Sequence, residues 1–416
     1  MLLGLWLGCT GEAPAPPPPP KVEAAAPTPA TPTTVWTTEN IRELVPTVPP
    51  RNNAVPKPIP MLPEYDATLG TLGAVIDTYD GDPDNPWAVA HGILARGKEF
   101  RLSDGREAIP HLFSSYAEAR AAGALTLVGF PAALGTIRVE PHTDLLLKNL
   151  TEIGFDPGGE LPTRTGTVAV ADLYRWTVLK TFLDPKKNHS SFSDPGDISW
   201  GLQALAAWAP GELQWIAIDG TPMDLDDLTS FNVAVLLQES AFMLQDMQRG
   251  QDFQRAGQPL FSYPCGGSHL VQGVSYAVAR GYGTPKDRKV VEGQVALLFY
   301  RLPIELAIYD SALKQHASYR LKLTVQRLKF LGHWLETISK MQAMGLFVPD
   351  ANQLTHIEGA AQNLVVTVDA LKKQGAFDRL PDIRAKEEQM YLDIIGDAGH
   401  AVRGLDLALG RGKVAW

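Results

Sequence analysis

Gly332-His333-Trp334-Leu335-Glu336 lies within an apolar pattern of three- and four-residue spacing that runs over 319–345. It combines two residues that a helix interior ordinarily avoids. Glycine costs about 1 kcal/mol inside a helix relative to alanine, and an imidazole on an apolar face needs hydrogen-bond partners. Two further stretches repeat the combination, Trp87-Ala-Val-Ala-His91-Gly92 and Cys265-Gly-Gly-Ser-His269-Leu-Val-Gln272-Gly273. Three helical segments with histidine beside glycine predict backbones packed closely around one polar spot that His91, His269 and His333 share.

The same periodicity recurs over 66–80, 85–97, 108–122, 143–153, 166–182, 196–208, 224–248, 268–281, 288–316, 352–374 and 384–409, giving about twelve helices in all. The breaks between them are short and rich in Gly, Pro, Asp and Asn, so consecutive helices form antiparallel hairpins. Lys98 to Arg106 and Leu125 to Glu140 alternate rather than cycle and read as small β-hairpins inserted between helices. The fold class expected is therefore all-α. About six helical hairpins close either into a solenoid or into a ring of inner and outer helices, an (α/α) toroid. Uneven helix lengths without a fixed repeat favour the toroid, whose inner helices would bring the Gly/His elements to one funnel.

In this order, Trp87-x-x-x-His91-Gly92, Cys265-Gly-Gly-Ser-His269 and Gly332-His333-x-Leu335-Glu336 resemble the motifs of a family of uncharacterised secreted or anchored bacterial proteins. The resemblance covers roughly Pro86 to Gly399, with Ser268 where that family has threonine. It implies an (α/α) toroid and a site at these motifs, but no particular reaction.

The 416 residues carry a formal net charge of -9 and a pI near 5.5, without a dense Lys/Arg block. That excludes the electrostatic footprint of a nucleic-acid partner. With only Cys9 and Cys265, no disulfide framework exists. Met1 to Gly8 is an apolar run ending in Leu7-Gly8-Cys9-Thr10, which resembles a bacterial lipobox with Trp6 where leucine is usual. Of the chain's 33 prolines, 16 fall between Thr10 and Tyr65, and Pro16 to Pro20 suits extended polyproline II. The expected organisation is a signal-like segment over 1–9 with Cys9 as lipidation site, a Pro/Ala/Thr-rich disordered tether over 10–65 and a helical domain over 66–416. The expected location is the cell envelope, lipid-anchored. Beyond Cys9 no apolar run reaches bilayer-spanning length.

P-loop, Gly-x-Ser-x-Gly and His-Glu-x-x-His motifs are absent from the sequence. Asp80-Gly-Asp82-Pro-Asp84 fails as a calcium loop, because Asn85 and His91 occupy the glycine and glutamate positions; it reads as a solvated turn. Asp224-Leu-Asp226-Asp227 opens a helix, where carboxylates cap. Zinc is set aside, since Cys265 and His269 are a single local pair and Pro264, Gly266 and Gly267 place a turn between them and regular helical spacing. No metal or cofactor is expected.

Carboxylate, histidine and aromatic chemistry remains. His333 and Glu336 share a helix face, Glu305 and Asp310 lie in an apolar stretch, and Trp200, Trp208 and Trp215 cluster in sequence with Gln203 and Asp219. The candidate catalytic residues are His91, His269, His333, Glu336 and Glu305; the candidate binding residues are Trp87, Gln272, Trp200, Gln203 and Trp334. Two readings follow. One is a surface-anchored module that binds an extended polymer (polysaccharide, peptidoglycan or peptide) in a central cleft. The other is a polysaccharide-degrading lyase or hydrolase using a His/carboxylate pair in the same cleft. No single motif completes a catalytic set, so the sequence favours binding.

Overall fold

The computed structural model describes residues 34–48, 57–192 and 197–416, of which Thr34–Trp416 belong to one compact unit. Among the described residues there are thirteen α-helices: α1 Pro63–Val75, α2 Pro86–Arg96, α3 Ala108–Tyr116, α4 Leu145–Glu152, α5 Val170–Lys180, α6 Ile198–Trp208, α7 Leu225–Gln248, α8 Ser268–Ala279, α9 Pro285–Gln315, α10 Arg320–Ala343, α11 Ala351–Lys373, α12 Leu380–Lys386 and α13 Glu388–Ala408. Their ends follow local chemistry. Asn85 accepts from the Ala88 N–H before Pro86 opens α2, and Asp224 accepts from the Asp226 and Asp227 N–H groups at α7. Thr284 with Asp287 and Asp350 with Gln353 form capping boxes on α9 and α11.

Strands are short and lie between helices. β1 Val35–Trp36 runs parallel to β10 Gln214–Ile216, which pairs antiparallel with β11 Pro222–Asp224. Four hairpins join β2 Glu118–Ala122 with β3 Leu125–Gly129, β4 Ala133–Leu134 with β5 Ile137–Arg138, β6 Glu160–Thr163 with β7 Gly166–Ala169, and β8 Leu183–Asp184 with β9 His189–Ser190. The helical expectations over 108–122 and 166–182 are thus each part strand, at the C-terminal end of the first and the N-terminal end of the second. Gly123 at φ 61° turns the chain so that 118–122 pairs with 125–129 instead of extending α3. Lys98 to Arg106 holds only one bridge, Arg101 to Glu107.

The segment expected to be tether is part of the body at its C-terminal end. Ile41 and Leu44 are fully buried, Thr47 N–H bonds the Trp208 carbonyl, and β1 extends a sheet. Isolated apolar residues among prolines gave no periodicity to reveal this. Cys9 and the start of the tether lie outside the described residues.

Pairwise packing links six helices in a circuit: α2 on α4, α4 on α6, α6 on α8, α8 on α10, α10 on α13 and α13 back on α2. The seven left over pack against the circuit, α3 on α2, α5 on α6, α7 on α8, α9 and α11 on α10, and α1 and α12 on α13. Two glycines set the approach of α10 to α13. A Cβ on Gly332 would stand 2.9 Å from the Ala401 nitrogen, and one on Gly404 2.7 Å from the Glu336 nitrogen, so α10 and α13 touch backbone to backbone. Gly273 plays the same part between α8 and α6, where a Cβ would meet the Ser199 carbonyl oxygen at 2.3 Å.

Candidate functional site

Every helix of the circuit contributes to one enclosed chamber of about 230 Å³. Its wall holds Trp87 and His91 from α2, His142 just before α4 and Lys148 within it, and Trp200 from α6. Cys265 and His269 come from the turn and first residues of α8, Lys329 and His333 from α10, and Asp393, Asp397 and His400 from α13. An outer vestibule of about 590 Å³ shares Trp87, His142, Gln389 and Leu392 with it and adds Arg138, Arg384 and Tyr391.

The three histidines singled out by their glycines meet here, joined by a fourth. Ring centroids lie 3.8 Å apart for His333 and His400, 4.9 Å for His269 and His333, 5.3 Å for His269 and His400, and 5.6 Å for His91 and His400. Trp200 stacks on His142 at 4.5 Å and meets His269 at 4.5 Å with the rings tilted by 33°. Trp87 covers His91 at 4.0 Å.

Partners orient several of these rings. His91 Nδ1 bonds the Trp87 carbonyl at 2.8 Å, His400 Nδ1 bonds Glu336 Oε2 at 2.7 Å, and His142 Nδ1 meets Asp197 Oδ1 at 3.2 Å. Burial would raise the Glu336 carboxyl, but Lys340 and His400 outweigh it and hold it well below the usual range, so His400 Nδ1 is the donor. His333 is 1% exposed and neither ring nitrogen makes a hydrogen bond; Nε2 stands 3.4 Å from Asp397 Oδ1. Burial pushes His333 down, yet Cys265 and Asp397 beside it lift it to about 10. Burial drives His91 to about 4, and burial with repulsion from neighbouring imidazoles holds His269 and His400 well below their ordinary value. Environments that push neighbouring groups apart in this way separate a proton donor from proton acceptors.

Cys265 occupies an unusual backbone. It lies at φ 54°, ψ 33°, followed by Gly266 at φ 60° and Gly267 at φ 80°. Arg301 Nη1 donates to the Gly266 carbonyl at 2.8 Å, and Glu305 holds Arg301 at 2.7 Å. Glu305, expected to be catalytic, is therefore outside the chamber: it pairs with Arg301 and Arg255 and supports the cysteine turn. Glu336 is also not on the wall but behind it, bonded to His400 and Lys340.

The expected binding residues divide in the same way. Trp87 and Trp200 line the chamber, whereas Gln203 bonds Glu152 at 3.1 Å and Gln272 bonds Thr337 and Lys340 in the layer beneath. Trp334 points away, its Nε1 donating to the Leu298 carbonyl against Phe299. Both are corrections of one kind: helical spacing assigns a face, and the neighbour that covers that face is set by tertiary packing. Asp80, expected in a solvated turn, is fully buried, because a π-helical turn over Ile76–Asp80 rotates it inward; burial raises its carboxyl well above the usual value. Asp224 does cap α7, as expected. The argument against a metal also changes, since α10 brings His333 beside Cys265 and His269 as a third ligand-type side chain.

Sequence reasoning missed His142, Asp397, Lys329 and His400. The last was legible, since Gly399-His400 repeats the glycine-histidine pairing of Gly332-His333. Comparison with protein-family models, curated proteins and solved structures finds no match.

Proposed function

We propose that the protein is an enzyme performing general acid–base chemistry on one polar unit at the end of an envelope or extracellular polymer. The observation that carries this reading is the convergence of His269, His333, His400, Cys265 and Asp397 on one chamber wall, with His333 and His400 in ring contact. A pure binding cleft has no use for so many proton-transfer groups facing inward. At about 230 Å³ the chamber is smaller than the roughly 300–1,000 Å³ of ordinary ligand sites, so it suits one unit rather than a length of chain. His400, oriented by Glu336, is the base; His333 beside Asp397 is its acid partner. Trp87 at the mouth offers the aromatic face on which a sugar ring packs.

The architecture assigned with this reading is an (α/α) toroid, supported by the α2–α4–α6–α8–α10–α13 circuit and the helices outside it. Envelope location through lipidated Cys9 completes the proposal. Among the described residues no helix is long and apolar enough to cross a membrane. The polymer-binding module is the second reading, favoured by the 590 Å³ vestibule with Trp87, Tyr391, Arg138 and Arg384.

The test incubates the full chain and its His400→Asn variant with muropeptides and with neutral and uronic-acid oligosaccharides, products being read by mass spectrometry. Hydrolysis adds one water and elimination leaves the summed mass unchanged. Turnover that falls at least about 100-fold in the variant, at unchanged thermal stability, supports the reading. Binding without turnover of any of them, equal in both chains, overturns it.

A further inference from the structure

We propose that Cys265, His269 and His333 form a site for one divalent transition-metal ion, zinc by its ligand chemistry, with a fourth position open to the chamber. The Sγ of Cys265 and one ring nitrogen from each histidine lie within 4.8 Å of one another. Around a tetrahedral zinc, bond lengths of about 2.0–2.3 Å place such atoms about 3.3–3.7 Å apart, so small side-chain rotations close the trio on an ion.

Three features mark a built site. First, the cysteine is held there. Its left-handed backbone is unfavourable for a residue with a Cβ, and the turn is fixed from behind by Arg301 on the Gly266 carbonyl. A Cβ on Gly266 would meet Arg301 Nη2 at 2.7 Å, so that clamp needs glycine. Second, His333 is 1% exposed with neither ring nitrogen hydrogen-bonded, although a buried imidazole ordinarily has partners. A bound ion would satisfy it. Third, Asp397 stands 3.4 Å from His333 Nε2, the position from which a carboxylate orients a ligating histidine.

The donor set selects the metal. One thiolate and two imidazoles suit zinc, and oxygen-seeking magnesium or calcium does not fit them. Three protein ligands leave the open position found in catalytic rather than structural zinc sites. The neighbouring set His333, Glu336 and His400 is a poorer cage. Glu336 there is already engaged by Lys340 at 2.5 Å and by His400, leaving no open face.

The site deepens the acid–base reading and rests on it for its substrate; with an ion bound, His333 serves as a ligand instead of the acid, and His400 carries both proton transfers. A zinc ion here would supply a bound water acidic enough to react near neutral pH. In the step proposed, that water's oxygen bonds to the electrophilic carbon of the substrate. The bond from that carbon to the leaving group breaks and its electron pair stays on the leaving group, which takes one water proton by way of His400; the other proton remains on the new hydroxyl, so the net reaction is hydrolysis.

The test uses the full chain carrying Cys9→Ser, which makes Cys265 the only thiol, reduced and stripped of metal by chelator dialysis. Cobalt(II) titration is expected to give a thiolate-to-cobalt charge-transfer band and tetrahedral visible bands that saturate at one equivalent and disappear on adding zinc. His269→Ala and His333→Asn should each weaken cobalt binding more than about 100-fold, and Asp397→Asn about 10–100-fold, with far-ultraviolet dichroism unchanged. Zinc should also protect Cys265 from alkylation by iodoacetamide, a readout that needs no variant to fold. No charge-transfer band, or a band indifferent to both histidine changes, or unprotected alkylation overturns the site. Full turnover by the metal-stripped chain would leave the acid–base reading intact and remove the metal, whereas metal binding without turnover does the reverse.

Discussion

Replacing Gly332 by alanine tests the contact on which the whole chamber depends. In an open helix the change stabilises by up to about 1 kcal/mol, because alanine loses less backbone freedom on folding. At Gly332 the new Cβ would sit 2.9 Å from the Ala401 nitrogen and 3.1 Å from its Cα, both backbone atoms that cannot rotate away. Forcing a methyl group into packed structure costs about 1–3 kcal/mol, so the net expectation is a loss of about 0–2 kcal/mol. Gly293, exposed in the middle of α9 with nothing within 4 Å of its would-be Cβ, is the internal control and should gain about 0.5–1 kcal/mol. Equilibrium denaturation by far-ultraviolet dichroism measures both. Because α13 must move away from α10, the 3.8 Å contact of His333 with His400 widens as well, and cobalt affinity at Cys265, His269 and His333 should fall with stability. Gly332→Ala as stable as Gly293→Ala would refute the close approach and with it the ring contact.

Glu140 gives a pH signature. Burial raises its carboxyl from 4.5 to about 8, with Lys180 opposing. Over that window the folded chain holds a proton that the unfolded chain has released, so stability falls as pH rises, by up to about 1.4 kcal/mol per unit. Glu140→Gln should flatten denaturation midpoints between pH 5 and 8; parallel curves for the two chains would contradict this. Ile41→Ala should cost about 2–4 kcal/mol, since the side chain is fully buried, whereas a loss under 0.5 kcal/mol would return residues 34–48 to the tether. Cys9→Ser should move the protein from the membrane to the soluble fraction on cell fractionation; unchanged membrane association would end the anchor proposal.

The helices were largely legible because their periodicity is long and their breaks carry strong punctuation. The pattern over 319–345 coincides with α10 at Arg320–Ala343, although residues 330–343 are buried on every side and not along one stripe, and the capping chemistry of Asp224 could be read from letters alone. The convergence of His91, His269 and His333 followed from a physical rule, that glycine inside a helix marks close backbone approach; Gly273 and Gly332 obey it. Gly92 obeys it differently, since its would-be Cβ meets the Phe100 ring rather than another helix. What sequence could not supply was the partner of each polar group. Glu305 and Glu336 are equally acidic letters in apolar stretches, but one pairs with arginines behind a turn and the other orients a histidine. Arg301, four positions from Glu305 on the same helix, was within reach of spacing arguments, whereas His400, sixty-four positions from Glu336, was not.

Beneath the chamber lies a layer of charge that bears on which acid faces the chamber. Glu152 contacts Lys148 at 2.8 Å, Lys340 at 2.6 Å and Arg403 at 2.6 Å, and Lys340 reaches on to Glu336 at 2.5 Å. Two acidic and three basic side chains thus meet in the interior of the body, where burial lowers the Lys148 ammonium from its usual value. Removing such groups from water costs several kcal/mol each, so this layer is weak as a source of stability. It is strong as a positioning device. Through Glu152 it ties α4 to α10 and α13, and through Glu336 it fixes His400 with Nδ1 as donor, which makes Nε2 the atom left as acceptor. Glu336 is thus fully committed on its cationic side, and the carboxylate that meets His333 at the chamber wall is Asp397. Its neighbours there are His333 and, at 3.8 Å, Lys329, which Asp393 holds at 2.9 Å. The acid that helical spacing assigned beside His333 acts by orienting a histidine of another helix, and the acid that meets His333 arrives from that same helix, one turn before His400.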